Sequence, residues 1–232
     1  GIPANWSAWE ASWKADAFEL QPGLNHLSVR AFDASHAELD RLEFTVWHET
    51  GAHQLVNANI TTDTFVSAAA GPWFFSGKTI VQKQATLSIE AGAMVYFGED
   101  AQLEVQGGLT ISGEPDRRAT LTRPPGSSHR WRGIRWIDSD QPNRLSHVNI
   151  SYVSADAPSV QVNGSRLKLI GVTFRDLLGT AIEYSNSTLV TSSCSFEVSA
   201  SETEGAVPIV TGSGFAGDDH VVFRDNHFPA ID

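Results

Sequence analysis

Cysteine occurs once in the 232 residues, at Cys194, and methionine once, at Met94. A single cysteine excludes an internal disulfide framework, and it leaves the redox compartment unspecified. Cations are scarce as well: 16 Lys and Arg stand against 27 Asp and Glu, a formal net charge of −11. That balance argues against nucleic acid or an anionic membrane as partner of the surface as a whole. No run approaches the roughly 18 apolar residues that a spanning helix requires, so no membrane span is expected. The chain opens at Gly1 without a basic-then-apolar leader, as expected of a processed chain or of an interior piece of a longer one.

What the sequence does contain is a repeat. Val160, Val162, Leu167, Val172 and Phe174 recur as Ile182, Tyr184, Leu189, Cys194 and Phe196, each 22 residues later. Reading back by 22 puts Leu145, Ile150 and Tyr152 in the same columns. Reading forward by 32 puts Val221, Asn226 and Phe228 there, with "SASETEGAVP" absorbing the longer step. Repeats of this length predict a solenoid, because no single repeat can bury its own apolar face.

The local period selects strands over helices. Apolar positions alternate in Val160/Val162, Leu167/Leu169 and Val172/Phe174, and the breaks carry Asn163-Gly164, Gly171 and Gly179. Alternation predicts strands, and Gly or Asn suits the left-handed backbone of tight corners. Three short strands per repeat, all running the same way, make an all-β, parallel β-helix, right-handed by the general rule for parallel crossovers. Leu87/Ile89 precede Leu109/Ile111 by 22, and Val95/Phe97 precede Ala119/Leu121 by 24, which predicts about six coils over residues 79–232. The 36-residue step from Leu109 to Leu145 holds two insertions, "TRPPGSSHR" and "DSDQPN".

Residues 1–50 lack this period. Leu27/Val29/Ala31 and Leu42/Phe44/Val46 alternate between turns at Pro22-Gly23 and Asp33-Ala34-Ser35. The pattern resembles the last strands of an immunoglobulin-like β-sandwich, a fold that needs about seven. Such a partial sandwich would be a cut domain, or a sheet covered by Trp6, Trp9, Trp13 and Phe18, or one completed by strands from another subunit. Residues 51–78 are expected to form a linker and N-terminal cap, with Phe65, Trp73, Phe74 and Phe75 plugging the first coil.

The stretch "ATLSIEAGAMVYFGEDAQLEVQGGLTISG", followed by "RATLTRP", "HRWRGIRW" and "RLSHVNISYV", resembles the right-handed β-helix proteins of the pectin-lyase-like superfold. It is closest in character to the modules of large bacterial secreted and surface proteins. The resemblance covers residues 76–232 and implies that Gly92, Gly98, Gly108 and Gly133 stand where the coil bends or packs closely. The superfold hosts polysaccharide lyases, hydrolases, tailspikes, adhesins and coils with no catalytic role, so function must be argued from a site.

Candidate sites are few. Inverting glycoside cleavage needs one acid and one base carboxylate, and the only comparable stretch is Asp218-Asp219-His220, which also reads as a solvated acidic turn. Outward strand positions Arg135, Gln161, Glu183, Lys168 and Val190 do not assemble the oxygen-rich cage a hard cation requires. No catalytic residue, metal or cofactor is therefore assigned. His147 and Cys194 fall in inward columns and read as core residues. The most ligand-like segment is "SSHRWRGIRWID". Counting outward from Ile134 and Trp136 exposes Trp131 and Arg135 beside Arg130 and Arg132, a set able to stack on a sugar ring and hold a carboxylate or sulfate. The alternative is that these arginines pair with acids such as Asp138 and Asp140. The expectation is a non-catalytic extracellular structural or adhesive module, with polysaccharide or other copies of itself as partner through edge strands or coil ends. The alternatives are a polysaccharide lyase or hydrolase of the β-helix class and a subunit of an extracellular filament.

Overall fold

The computed structural model describes residues 3–7, 9–15, 19–20, 23–48, 54–56, 59–198, 209–214 and 220–228. The chain divides into two compact units, Gly1–Thr50 and Gly51–Asp232.

The first unit holds two antiparallel pairs: β1 (Asn5–Ser7) with β2 (Ser12–Lys14), and β3 (Gly23–Phe32) with β4 (Glu38–His48). The hairpin turn is fixed by Asp33, whose carboxylate accepts the Ser35 hydroxyl at 2.7 Å and the N–H groups of Ser35 and Ala37 at 2.8 and 2.9 Å. The Ser35 hydroxyl and the Ala37 N–H hold the Asp33 pKa below the ordinary value. Cross-strand pairs Leu27/Phe44 and Val29/Leu42 place apolar side chains on one face. Trp6 faces Trp13 across the first pair, and both stay exposed with Trp9, so these tryptophans do not cover a sheet. Phe18 lies outside the described residues.

The second unit is a right-handed parallel β-solenoid of about six coils. Two strands precede the first full coil, β5 (Gln54–Val56) and β6 (Thr64–Val66). The coils then run through β7 (Trp73–Phe75), β8 (Thr79–Val81), β9 (Thr86–Glu90); β10 (Met94–Phe97), β11 (Leu103–Val105), β12 (Gly108–Ser112); and β13 (Ala119–Thr122), β14 (Ile134–Ile137), β15 (Pro142–Ser146). They continue through β16 (Val148–Ser151), β17 (Val160–Asn163), β18 (Arg166–Ile170); β19 (Thr173–Leu177), β20 (Ile182–Ser185), β21 (Thr188–Ser192); and β22 (Ser195–Val198), β23 (Val210–Ser213), β24 (Val221–Arg224). Every third strand stacks in parallel, giving a first sheet on β7, a second on β8 and a third on β9. Backbone hydrogen bonds thus join each coil to the ones before and after it.

Side chains of the inward rows fill the interior, from Val66 and Phe75 to Leu189 and Phe196, without access to solvent. The 22-residue stride holds where it is read from Val160 to Ile182, Leu167 to Leu189 and Phe174 to Phe196. One coil earlier it slips by two: Leu145 lies beside Leu169, and Ile150 beside Phe174. Val95 likewise lies beside Leu121, not Ala119. The cause is a longer corner, since Ile150 to Val160 takes ten residues where Phe174 to Ile182 takes eight. A slip of two leaves every side chain on its original face, so the apolar pattern does not register it.

Corners follow from left-handed residues in vertical columns. His147, Gly171, Ser193 and Asp225 take φ values of 48°, 58°, 54° and 50° between the third and first sheets. His147 is therefore a half-buried corner residue, not a core histidine, and its imidazole lies over Gly171, 2.6 Å from where a Cβ would sit. Just past the corner between the second and third sheets, buried serines form a ladder: Ser139 N–H donates to Ser165 Oγ at 3.0 Å, and Ser165 N–H to Ser187 Oγ at 3.1 Å. The second insertion shrinks to Asp140-Gln141 and breaks the pairing ahead of Arg144. Asn143, buried in a column of leucines, repairs it by accepting the Leu109 N–H at 2.7 Å.

Trp73, Phe74 and Phe75 do not plug an open end; they form β7, and Phe75 lies inside. Phe65 faces outward in register with Ser88 and is exposed. Consecutive residues of a strand alternate faces, so an aromatic run cannot enter the core together.

Candidate functional site

Trp131, expected at the surface, is fully buried. Its ring stacks on Phe97 at 4.0 Å between centroids and 9° between planes, and Phe97 stacks on Phe75 at 5.3 Å. The indole N–H donates to the Ser151 carbonyl at 2.8 Å. The outward assignment fails because Gly133, at φ 71°, is a left-handed corner between Trp131 and Ile134. Alternation counted back from β14 does not pass through such a corner, and Trp131 instead bridges Val153 in the inward row of the neighbouring face. It is not available to stack on a sugar.

The three arginines are dispersed. Arg130 donates through Nη1 to the carbonyls of Val153 at 3.1 Å and Asp176 at 3.0 Å. Arg132 pairs with Asp156 at 3.1 Å and Asp100 at 3.7 Å, not with Asp138 or Asp140. Arg135 faces outward on the second sheet in a row with Glu104, Gln161 and Glu183. The insertion after β13 is stitched back onto the coil. Arg123 lies 3.9 Å above the Tyr152 ring with Arg130 at 5.7 Å, and His129 Nε2 is 3.0 Å from the Phe97 carbonyl. These are cation–π and backbone contacts of a closed corner.

The second sheet's outer row carries Glu104, the one deeply placed carboxylate among the described residues. Lys78 Nζ stands 2.9 Å away and Gln106 Nε2 donates at 2.8 Å. Burial pushes the Glu104 pKa up, but the hydrogen bonds from Lys78 and Gln106 outweigh it and hold the group below the ordinary glutamate value. Farther along the row, Gln161 donates to Glu183 at 2.5 Å. On the first sheet, Arg118 bonds Asn149 at 2.8 Å, Thr173 at 2.9 Å and the Gly171 carbonyl, clamping successive coils. Cys194 is buried, which pushes its thiol pKa up.

Asp218 and Asp219 lie outside the described residues, while His220 is exposed and its carbonyl accepts the Leu189 N–H at 3.0 Å. Among the described residues, no group of three or more His, Cys, Asp or Glu side chains is placed to hold a metal ion. No helix of the described residues is long and apolar enough to cross a membrane.

The sequence reading missed the outer face of the third sheet, where Arg144 lies beside Lys168 and Arg166 two residues along. Lys168 is legible as an outward position, but Arg144 joins it only through the 24-residue register, which the 22-residue stride does not give. No protein-family model, curated protein or solved structure matches this chain.

Proposed function

We propose that this chain is a non-catalytic extracellular module, structural or adhesive, of a large secreted or surface protein. In this reading the solenoid belongs to the pectin-lyase-like superfold, and the first unit is part of an immunoglobulin-like sandwich. What carries the reading is where the reactive side chains go. Glu104 is taken up by Lys78 and Gln106, Arg118 and Arg130 bond backbone carbonyls of other coils, and Cys194 is buried. Groups that could do chemistry at a cleft here hold one coil to the next. Incubation of the chain with uronic-acid polymers tests this: neither ultraviolet-absorbing unsaturated ends nor new reducing ends are expected. Either product would establish a lyase or a hydrolase and overturn the proposal.

A second reading, a filament subunit assembled through added strands, draws support from the β3–β4 hairpin. Leu42 and Phe44 on its apolar face are 59% and 37% exposed, and a two-stranded sheet is marginal by itself. Sedimentation that depends on concentration would support self-assembly, and a strict monomer at high concentration would exclude it.

A further inference from the structure

The third sheet presents an outer face that carries a cluster of positive side chains. Arg144 and Lys168 are cross-strand neighbours, about 4.8 Å apart along the stack, and Arg166 sits on the same face about 6.8 Å from Lys168. Arg224 lies on the same face two strands away, in the column of Ile170 and Ser192. All four side chains are exposed, and none makes an ion pair among the described residues. Arg144 is steadied by a 2.8 Å hydrogen bond from Nε to Ser146. The only acid on the described strands of this sheet is Glu90, three strands before Lys168, where it accepts the Ala68 N–H at 2.8 Å.

The contrast with the other cations is informative. Lys78, Arg117, Arg132 and Arg175 each have a carboxylate partner, and Arg118 and Arg130 are tied to backbone oxygens. Lys83 and Arg135 likewise lack an ion pair among the described residues, so what sets the third sheet apart is three such cations on two adjacent strands. In a chain of net charge −11, three unpaired cations set about 5–8 Å apart on two adjacent strands repel, and an anionic ligand relieves that repulsion.

We infer that this face binds a linear sulfated polysaccharide. The inference rests on the adhesive form of the proposed function and places its ligand on a surface that the coil interior does not need. The neighbouring outward positions supply hydroxyls, Thr110, Ser112, Thr188 and Ser192, which suit a glycan chain. Among the described residues, the outward columns within two strands of Lys168 carry no aromatic side chain, and Phe223, 40% exposed, belongs to an inward column, so single-stranded nucleic acid finds no stacking platform beside the cluster. A protein partner would lack the aromatic anchors that concentrate binding energy. The triangular layout of Arg144, Lys168 and Arg166 selects a polymer sulfated more than once per sugar, which presents charges beside its chain as well as along it. A uronate polymer carries one charge per sugar.

Titration calorimetry of the full chain with dextran sulfate at low salt tests the inference, with neutral dextran and polygalacturonate as comparators. Dextran sulfate is expected to bind, polygalacturonate at least about tenfold more weakly, and neutral dextran not at all. The variant Arg166→Gln/Lys168→Gln should lose about tenfold or more in affinity, while Lys83→Gln, which removes an exposed charge between β8 and β9, should stay within about twofold. Absence of binding, equal affinity for polygalacturonate, or equal loss in Lys83→Gln would each overturn the inference. Shortening of the polymer would instead overturn the non-catalytic reading and leave the binding face standing.

Discussion

Trp131 lies flat on Phe97 inside the coil, 4.0 Å between ring centroids. This packing predicts that Trp131→Ala lowers the unfolding free energy of the solenoid by about 3–5 kcal/mol, the cost of emptying a large buried site. A surface tryptophan would cost under about 0.5 kcal/mol, so urea denaturation followed by circular dichroism separates the two placements.

Gly171 has a positive φ and carries the His147 imidazole where a Cβ would stand. Gly171→Ala is expected to cost at least about 1–2 kcal/mol from the left-handed backbone alone. Adding His147→Ala should recover the steric share and leave the backbone share, which a double-mutant cycle measures. Gly77→Ala, at a position with open space, serves as the near-neutral control.

Ser165 Oγ accepts the Ser139 N–H and is 2.8 Å from the Asn163 carbonyl. Ser165→Ala strands a buried N–H and should destabilise by about 1–3 kcal/mol. The local signature is faster hydrogen exchange at the Ser139 amide, with distant coils unchanged.

Glu104 titrates below the ordinary glutamate value in the folded chain. A depressed folded pKa means that folding favours the carboxylate. Its stabilisation is therefore complete above the unfolded value of about 4.3 and is lost as pH falls through the folded value. Thermal midpoints measured from pH 6 downward should fall with acid in the native chain, and Glu104→Gln should remove part of that slope. An unchanged slope would show that Glu104 is not the group responsible.

The sequence revealed the inward columns well, because burial on one face imposes alternation that single residues cannot easily violate. Val160 over Ile182 and Phe174 over Phe196 were readable on that ground alone. Corners were harder to read. His147 is itself a left-handed corner residue and Trp131 lies just before the left-handed Gly133, so alternation counted along the strands fails at both. The coil lengths were hidden for a related reason: two extra residues before Val160 leave faces unchanged while shifting every neighbour. The charge cluster of Arg144, Arg166 and Lys168 lies on outward columns, which no packing rule constrains, and it emerged once the register was known.

Because the bonds between coils all point along the stack, the molecule answers force differently in different directions. A pull along that axis loads each ladder end-on, so the coils should peel away singly, each step releasing roughly 70–120 Å of extended chain according to the length of the coil. A pull across the strands must instead shear whole ladders together. A surface protein that carried this module would have one stiff direction and one in which it yields coil by coil.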